Sequence, residues 1–353
     1  MRIANIKTAP SPTNSETDVL SWLLEGDSSI RWQVLADLLG AERSNVEAEQ
    51  VHVGKSGWGA QLLSYQEPSG MWGGGIYSPK WISTTYTLLA LRFLGLPSGD
   101  PQALAGCELL LDRTFYRDGG INVAASHNQS EACVTGMVLS ILSHFRIEDE
   151  RVHRIAAHLL GRQMADGGWN CQDYRGATHA SFHTTLLALE GLLEYQRFCL
   201  ETGVDRQGTR RVGAAFGATR AAQARAHEFL LEHRLFRSHR TGEVVDPRML
   251  RFPFPPRWQY DVLRALDYFQ SYCRWHYEVD GERGGKGSGE FNRDERFMDG
   301  IALIRRKRRM DGRWPSYSGP KGREYFEMER AGEPGRWNTL RALRVLAWWE
   351  NQR

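Results

Sequence analysis

Cysteine is scarce: Cys107, Cys133, Cys171, Cys199 and Cys273 are the only five among 353 residues. An odd count spread over a long chain excludes the disulfide-stapled scaffold of small secreted domains and points to free thiols in a reducing cytoplasm. Charge of one sign is also missing. A net charge of +3 supplies no basic field of the kind that binds nucleic acid. The one dense basic run, Arg305-Arg306-Lys307-Arg308-Arg309, reads as a solvated helix face or end, or as a contact for an anion or an anionic membrane surface. No apolar stretch approaches the roughly 20 residues of a membrane span. Met1 to Thr13 lacks the apolar core of a signal peptide, so the expectation is a cytoplasmic protein without a transmembrane segment. The familiar local signatures are absent too. There is no P-loop, no dinucleotide fingerprint and no Gly-x-Ser-x-Gly elbow, and Gly73-Gly74-Gly75 and Gly284-Gly285-Lys286-Gly287 lack the required spacing.

What the chain does have is apolar material and a repeat. Hydrophobic residues make up 41% and charged residues 25%, enough for a sizeable core. The 12 tryptophans are many, and several follow turn glycines. The best copy of the repeat is Asp166-Gly167-Gly168-Trp169, followed by His179 to Tyr195 with the run Thr-Leu-Leu-Ala-Leu. Gly70-Met71-Trp72 precedes Ile82 to Leu94, and Asp118-Gly119-Gly120 precedes Ser130 to Phe145. A weaker turn at Thr241-Gly242-Glu243 precedes Trp258 to Phe269, and Asp311-Gly312-Arg313-Trp314 precedes Arg336 to Trp349. Ile30 to Gly40 fits as a truncated first copy. Aligning Ala36, Ala90, Val138, Ala188, Ala265 and Ala342 gives spacings near fifty residues, widening in the later copies where insertions enter. More polar helices lie between, at Ala103 to Arg113, Arg151 to Gln163 and Ala218 to His233. The unit is therefore polar helix, glycine turn, apolar helix. Six such units predict an all-α ring, an (α/α)6 toroid over residues 17–353 behind a loose tail at 1–16. An open solenoid is the alternative.

Two segments, Gln66 to Trp72 and Gln163 to Trp169, share the pattern Gln-x3-Gly-x-Trp. This resembles the QW-type repeat of squalene and oxidosqualene cyclases. The helix alternation is similar to the α/α toroid that those cyclases share with protein prenyltransferase β subunits. The Gln amide is expected to bridge neighbouring backbone groups while the Trp packs over the turn. The Asp-x-Asp-Asp and Asp-Asp-x-x-Asp motifs of terpenoid cyclases and synthases are absent. The closer site pattern is that of the prenyltransferase β subunit. Its zinc-binding Asp-x-Cys and His resemble Glu131-Ala132-Cys133 and His183-Thr184, each opening an apolar helix. Cys133 and His183 share one repeat register, five residues before Val138 and Ala188. The resemblance thus implies Zn²⁺ held by Glu131, Cys133 and His183 with an open position for chemistry. Glu stands where the family has Asp, Val134 follows the cysteine, and the family's basic diphosphate-binding residues have no clear counterpart.

In the same register Thr85 and Tyr86, Tyr260 and Asp261, and Trp337 and Asn338 are expected at one mouth of a central cavity. Asp261 or Tyr260 would serve as proton donor or acceptor, although Asp261 equally suits a helix cap or a pairing with Arg264 or Arg257. Tyr86, Phe182, Trp258, Trp337 and Asn338 would contact substrate, and the aromatics equally suit plain packing. Cys171 and His179 are nearby alternatives as ligands. Arg251, Arg257, Arg336 and Arg341 suit anion contacts, while the matched positions of Arg264 and Arg341 equally suit a structural role. The resemblance implies a transferase, cyclase or metal-assisted hydrolase acting on an apolar, isoprenoid-like substrate. A non-catalytic ligand- or lipid-binding toroid and a protein requiring a partner subunit remain open beside it.

Overall fold

A computed structural model describes residues 14–124, 126–202, 210–282, 291 and 293–351. In chain order the α-helices are α1 (Asn14–Leu24), α2 (Ser28–Asp37), α3 (Arg43–Gln50), α4 (Gly57–Ser64), α5 (Thr84–Leu94), α6 (Pro101–Thr114) and α7 (Ala132–His144). They continue as α8 (Glu150–Gly161), α9 (Phe182–Thr202), α10 (Arg210–Glu232), α11 (Val262–Glu282), α12 (Met298–Lys307) and α13 (Arg336–Asn351). The fold is all-α, and the described residues contain no β-strand. None of the described helices is long and apolar enough to cross a membrane. The expected tail at 1–16 lies largely outside the described residues, and α1 begins inside it at Asn14. Two helices, α3 and α12, are additions to those expected from sequence.

Polar and apolar helices sort into two layers. Helix α8 buries Val152, Ile155, Ala156 and Leu159, one stripe at helical spacing, and turns its charged face outward. Nearly every residue of α7 is buried. The apolar helices pack on one another in a closed circuit: α4 on α5, then α7, α9, α11, α13, α2 and back to α4. Helices α6, α8, α10 and α12 pack against this circuit from the other side of their neighbours. The first and last members are locked by Arg344 of α13, which donates to Asp37 (3.0 Å) and Gln33 (2.9 Å) of α2.

The glycine turns join the layers by a repeated set of hydrogen bonds. The indole Nε1 of Trp72, Trp169 and Trp314 donates to Leu62 O, Leu159 O and Ile304 O at 2.7–2.8 Å, each a carbonyl at the end of the preceding helix. All three indoles are fully buried. The Trp N–H groups donate to the hydroxyls of Thr84, Thr185 and Thr339, and Ile121 N donates to Thr135. The glutamine amides bridge as expected: Gln66 Nε2 reaches Gly70 O and Gln102 O, and Gln163 Nε2 reaches Gly167 O and Ala222 O. Each glutamine thus ties its turn to the next polar helix.

These threonines also correct the repeat register. Thr135, Thr185 and Thr339 stand three residues before Val138, Ala188 and Ala342, but in α5 the role falls to Thr84, not Thr87. Helix α5 is displaced by about one turn, so Ile82 rather than Thr85 is the true counterpart of His183. Helices α7 and α9 approach most closely at two glycines. A Cβ on Gly136 would lie 2.6 Å from Leu187 O, and one on Gly191 would lie 2.5 Å from Gly136 O. Only glycine admits backbone so near.

The insertions cover the N-terminal ends of the apolar helices. Trp81 N donates to Arg323 O and Arg323 N to Lys80 O, while Trp81 Nε1 reaches Pro320 O. Tyr325 stacks on Tyr65 with ring centroids 4.1 Å apart, and Phe254 stacks on Trp337 at 4.7 Å. The segments around Trp81, Phe254 and Tyr325 therefore interlock above the N-terminal ends of α5 and α13. The basic run ends α12 on the surface, as a solvated helix end: Arg305, Arg306, Arg308 and Arg309 are exposed, while half-buried Lys307 donates to the Tyr317 hydroxyl (3.0 Å), Arg308 to Gly312 O, and Arg309 to Gly332 O.

Candidate functional site

Glu131 precedes α7 and Cys133 lies in its first turn, with Cys171 beside it. His183 opens α9 but faces the other way. Its Nδ1 accepts the Tyr260 N–H at 2.8 Å, and its ring packs edge-on to Trp258 at 5.2 Å. Burial lowers the His183 pKa to about 4, so the ring is neutral at pH 7. The reason is helical phase. Successive residues on a helix point about 100° apart. It is Thr184, accepting the Cys171 N–H at 3.3 Å, that looks toward the cysteines. Among the described residues no group of three or more His, Cys, Asp and Glu side chains is placed to hold a metal ion. Glu131, Cys133 and His183 thus do not fit zinc as a set in this geometry. His179 bonds Thr178.

The other expected residues are held in packing roles. Tyr260 is fully buried, and its hydroxyl donates to Leu235 O at 2.6 Å. Asp261 caps α11, its Oδ1 accepting Arg264 N at 2.8 Å. Burial raises its carboxyl to about 6, with Arg341 acting in the opposite direction. Asn338 Nδ2 donates to Phe252 O and Pro315 O, fixing the covering segments. Tyr86, Phe182 and Trp337 are buried, and Trp258 is half-buried against His183. Arg257 pairs with Glu324 at 3.0 Å, and Arg336 donates to Trp22 O.

A second place in the molecule has the geometry of a binding site. At the opposite mouth, near the C-terminal ends of the inner helices, a cavity of about 450 Å³ is lined by residues such as Asp37, Gln50, His144, Arg146, Glu201 and Arg274. It shares Gln33, Arg92, Phe93, Glu194, Arg197, Ser271 and Arg344 with an inner chamber of about 120 Å³. The chamber adds Glu190, Arg264, Asp267 and Arg341. Its walls are charged. Arg264 grips Glu190 with two bonds of 2.8 and 2.7 Å, and both side chains are over nine-tenths buried. Glu194 accepts from Arg197 at 2.8 Å and Arg92 at 3.2 Å. Asp267 accepts from Arg341 at 3.0 Å and from Arg344 at 2.6 Å.

The electrostatics follow from this pairing. Burial pushes the Glu194 carboxyl up, but Arg197 and Arg92 outweigh it and hold the group at about 2. Asp267 is likewise opposed by burial and held below the ordinary range by Arg344 and Arg341. Five arginines face three carboxylates across the inner chamber. Asp37, which Arg344 also grips, and Asp261, beside Arg341, stand just outside this lining. Arg92 Nε and Nη1, Arg197 Nε and Arg341 Nη1 are buried donors without a hydrogen-bond partner. Sequence reasoning named Arg341 and Arg264 but not the chamber. The missed signal was charge at a fixed place in apolar helices: Glu190, Asp267 and Arg344 each stand two residues after the aligned alanine.

No protein-family model matches this chain, and no curated protein matches it. The likeness to cyclases and prenyltransferases rests on the repeat residues themselves.

Proposed function

We propose that this protein is an α/α toroid of the general kind seen in cyclases and prenyltransferases, whose central cavity binds a small polar ligand bearing a carboxylate or phosphate group. The closed circuit of helix contacts supports the toroid. The observation that carries the ligand assignment is the set of buried guanidinium donors on Arg92, Arg197 and Arg341 that have no hydrogen-bond partner. A buried donor left unpaired is costly. Guanidinium is the natural partner of carboxylate and phosphate. The outer cavity, at about 450 Å³, lies in the range of small-molecule sites. An anionic head seated between Arg92, Arg197 and Arg341, with the rest of the molecule in the outer cavity, satisfies both volumes. The aromatic residues expected to meet an isoprenoid instead support the covered mouth. The zinc-dependent isoprenoid reading is not carried forward, because its proposed ligands do not converge.

Calorimetric titration tests this with pyrophosphate, a simple dicarboxylate and a neutral isoprenoid alcohol as probes. The anions are expected to bind and the alcohol to give no heat. Arg341→Met should weaken anion binding by tenfold or more. Binding of the alcohol alone, or anion binding indifferent to Arg341→Met and Arg92→Met, would remove the proposal and restore the apolar substrate.

A further inference from the structure

The apolar part of the outer cavity wall is made of flat rings. Among the described residues that line it, the apolar side chains are Trp32, Phe93, Trp275 and Ala36, with no leucine, isoleucine, valine or methionine. Phe93 is already engaged: the guanidinium carbons of Arg92 and Arg264 lie 5.1 and 5.2 Å from its ring centroid. It braces arginines of the inner chamber. The two indoles are placed differently. Trp32 of α2 is half-buried, and its Nε1 donates to Leu94 O at 2.9 Å. A Cβ on Gly95 would lie 2.2 Å from Trp32 Cζ2, so the nitrogen edge of this indole rests on backbone that only glycine leaves bare. Trp275 of α11 is also half-buried, edge-on to His276 at 4.6 Å and tilted against Phe216 at 5.9 Å. Both indoles keep surface facing the cavity.

We propose that the ligand of this cavity is an aromatic anion: a flat ring held against Trp32 and Trp275, with its carboxylate or phosphate reaching into the inner chamber. This rests on the anion-binding reading above and names the part of the ligand that reading leaves open. The two spaces are continuous, since Gln33, Arg92, Phe93, Arg197 and Arg344 line both. The chamber of about 120 Å³ suits one small anionic group, beside the unpartnered donors of Arg92, Arg197 and Arg341. The outer cavity of about 450 Å³ has room for a ring and its substituents. A saturated hydrocarbon chain would find no aliphatic side chain beyond Ala36 to pack on, and would desolvate charged groups without pairing them. An aromatic ring meets indoles, for offset or edge-to-face contact. It also meets guanidinium groups, planar cations that are attracted to a ring face.

The indoles are set in place before any ligand arrives. Gln50 Nε2 donates to Gly95 O at 2.9 Å, which fixes from α3 the same backbone that Trp32 rests on. Arg274 of α11 pairs with Asp37 of α2, so the helices that carry the two tryptophans are tied to each other beside the cavity. His144, a further ring in the wall, is held through Nε2 on Leu96 O at 2.9 Å. Side chains already ordered lose little freedom on binding, so their contacts with a ring convert more fully into affinity.

The test is calorimetric titration of the full chain with matched probes. Phenyl phosphate is compared with cyclohexyl phosphate, and phenylacetate with cyclohexylacetate, while pyrophosphate reads the anion site alone. The phenyl anion of the preferred head group should bind about fivefold or more tightly than its saturated partner. Trp32→Leu and Trp275→Leu should each reduce that preference, with a melting curve to confirm that the variant folds. The proposal is overturned if the saturated anions bind as tightly as the aromatic ones, if glucose 6-phosphate matches phenyl phosphate, or if both variants keep the preference intact. The two readings fail separately. Equal binding of aromatic and saturated anions removes the ring assignment alone, whereas absence of binding by pyrophosphate and by both phenyl anions removes the anion site with it. The wild-type comparison of phenyl with cyclohexyl probes decides the matter even if neither variant folds.

Discussion

Replacing Asp267 by Asn probes how the chamber is held together. In the folded protein Asp267 accepts from Arg341 and twice from Arg344, and its side chain is only 13% exposed. Arg341 is 3% exposed and its Nη1 has no partner. The amide keeps the shape and removes the charge, leaving two buried guanidinium groups to share what is left. Arg344 retains Asp37, whereas Arg341 loses its one ion-pair partner. Breaking a buried pair from one side costs about 3–5 kcal/mol. Urea unfolding at pH 7 should show a loss in that range, and the melting temperature should fall by roughly 4–7 °C. The pH dependence has a defined sign. Asp267 is held below its unfolded value. Its contribution is therefore present above the ordinary aspartate range and is lost as pH falls through the folded value. Wild type and Asp267→Asn should converge in acid. Pyrophosphate should restore more stability to the variant than to wild type, because the unmet arginines gain an anion. A combined Asp267→Leu and Arg341→Met change should be far milder than Asp267→Asn, since no charge is stranded. A loss below about 1 kcal/mol for Asp267→Asn, with no recovery by pyrophosphate, would refute the idea that these arginines are confined and short of negative charge.

Other outcomes follow from the same structure. Trp72→Phe, Trp169→Phe and Trp314→Phe should each cost about 2–3 kcal/mol in chemical unfolding, because each strands a buried carbonyl and shrinks a filled site. A near-neutral result at any of the three would separate that turn from the others. Gly136→Ala should destabilise by about 1–3 kcal/mol, since its new methyl would meet the Leu187 backbone. Gly161→Ala, with open space around it, should stay close to wild type by the same measurement. His144 is kept neutral chiefly by burial, its pKa lowered to about 4, and its Nε2 meets Leu96 O at 2.9 Å. The unfolded chain takes up that proton first. Stability is therefore full above about pH 6.5 and falls as pH drops toward 4. Burial-raised Asp261 and Glu329, at about 6 and about 7, work in the opposite direction. His144→Gln should remove about 2 kcal/mol of the acid-side loss between pH 6.5 and 4.5, read from unfolding curves at several pH values.

The repeat was legible because its chemistry is local. A glutamine, a glycine and a tryptophan within seven residues specify one turn, and the same bonds recur at Gln66 and Gln163. The layers were legible from helix polarity. Which helix faces meet was not. His183 and Thr184 are neighbours in sequence, yet one meets Tyr260 and the other Cys171. That choice depends on helix phase, which an aligned alanine does not fix. Nor does simple alignment reveal that Thr84 has displaced Thr87 in α5. The chamber escaped notice for another reason. Arg92, Glu190, Asp267 and Arg344 each look like an isolated charge in an apolar run, and their relation appears only when the helices stand around a common space.

The packing of α13 on α2 has a consequence for how the chain is made. During synthesis α2 emerges long before α13, so a face of α2 waits for a partner that is more than 300 residues away. Gln33, Asp37 and their apolar neighbours must stay uncommitted while everything between is built. Contacts of such separation are slow to form, and an incomplete circuit leaves apolar helix faces exposed until α13 arrives. The bonds from Arg344 to Gln33 and Asp37 then act as a latch that closes the circuit of helix contacts.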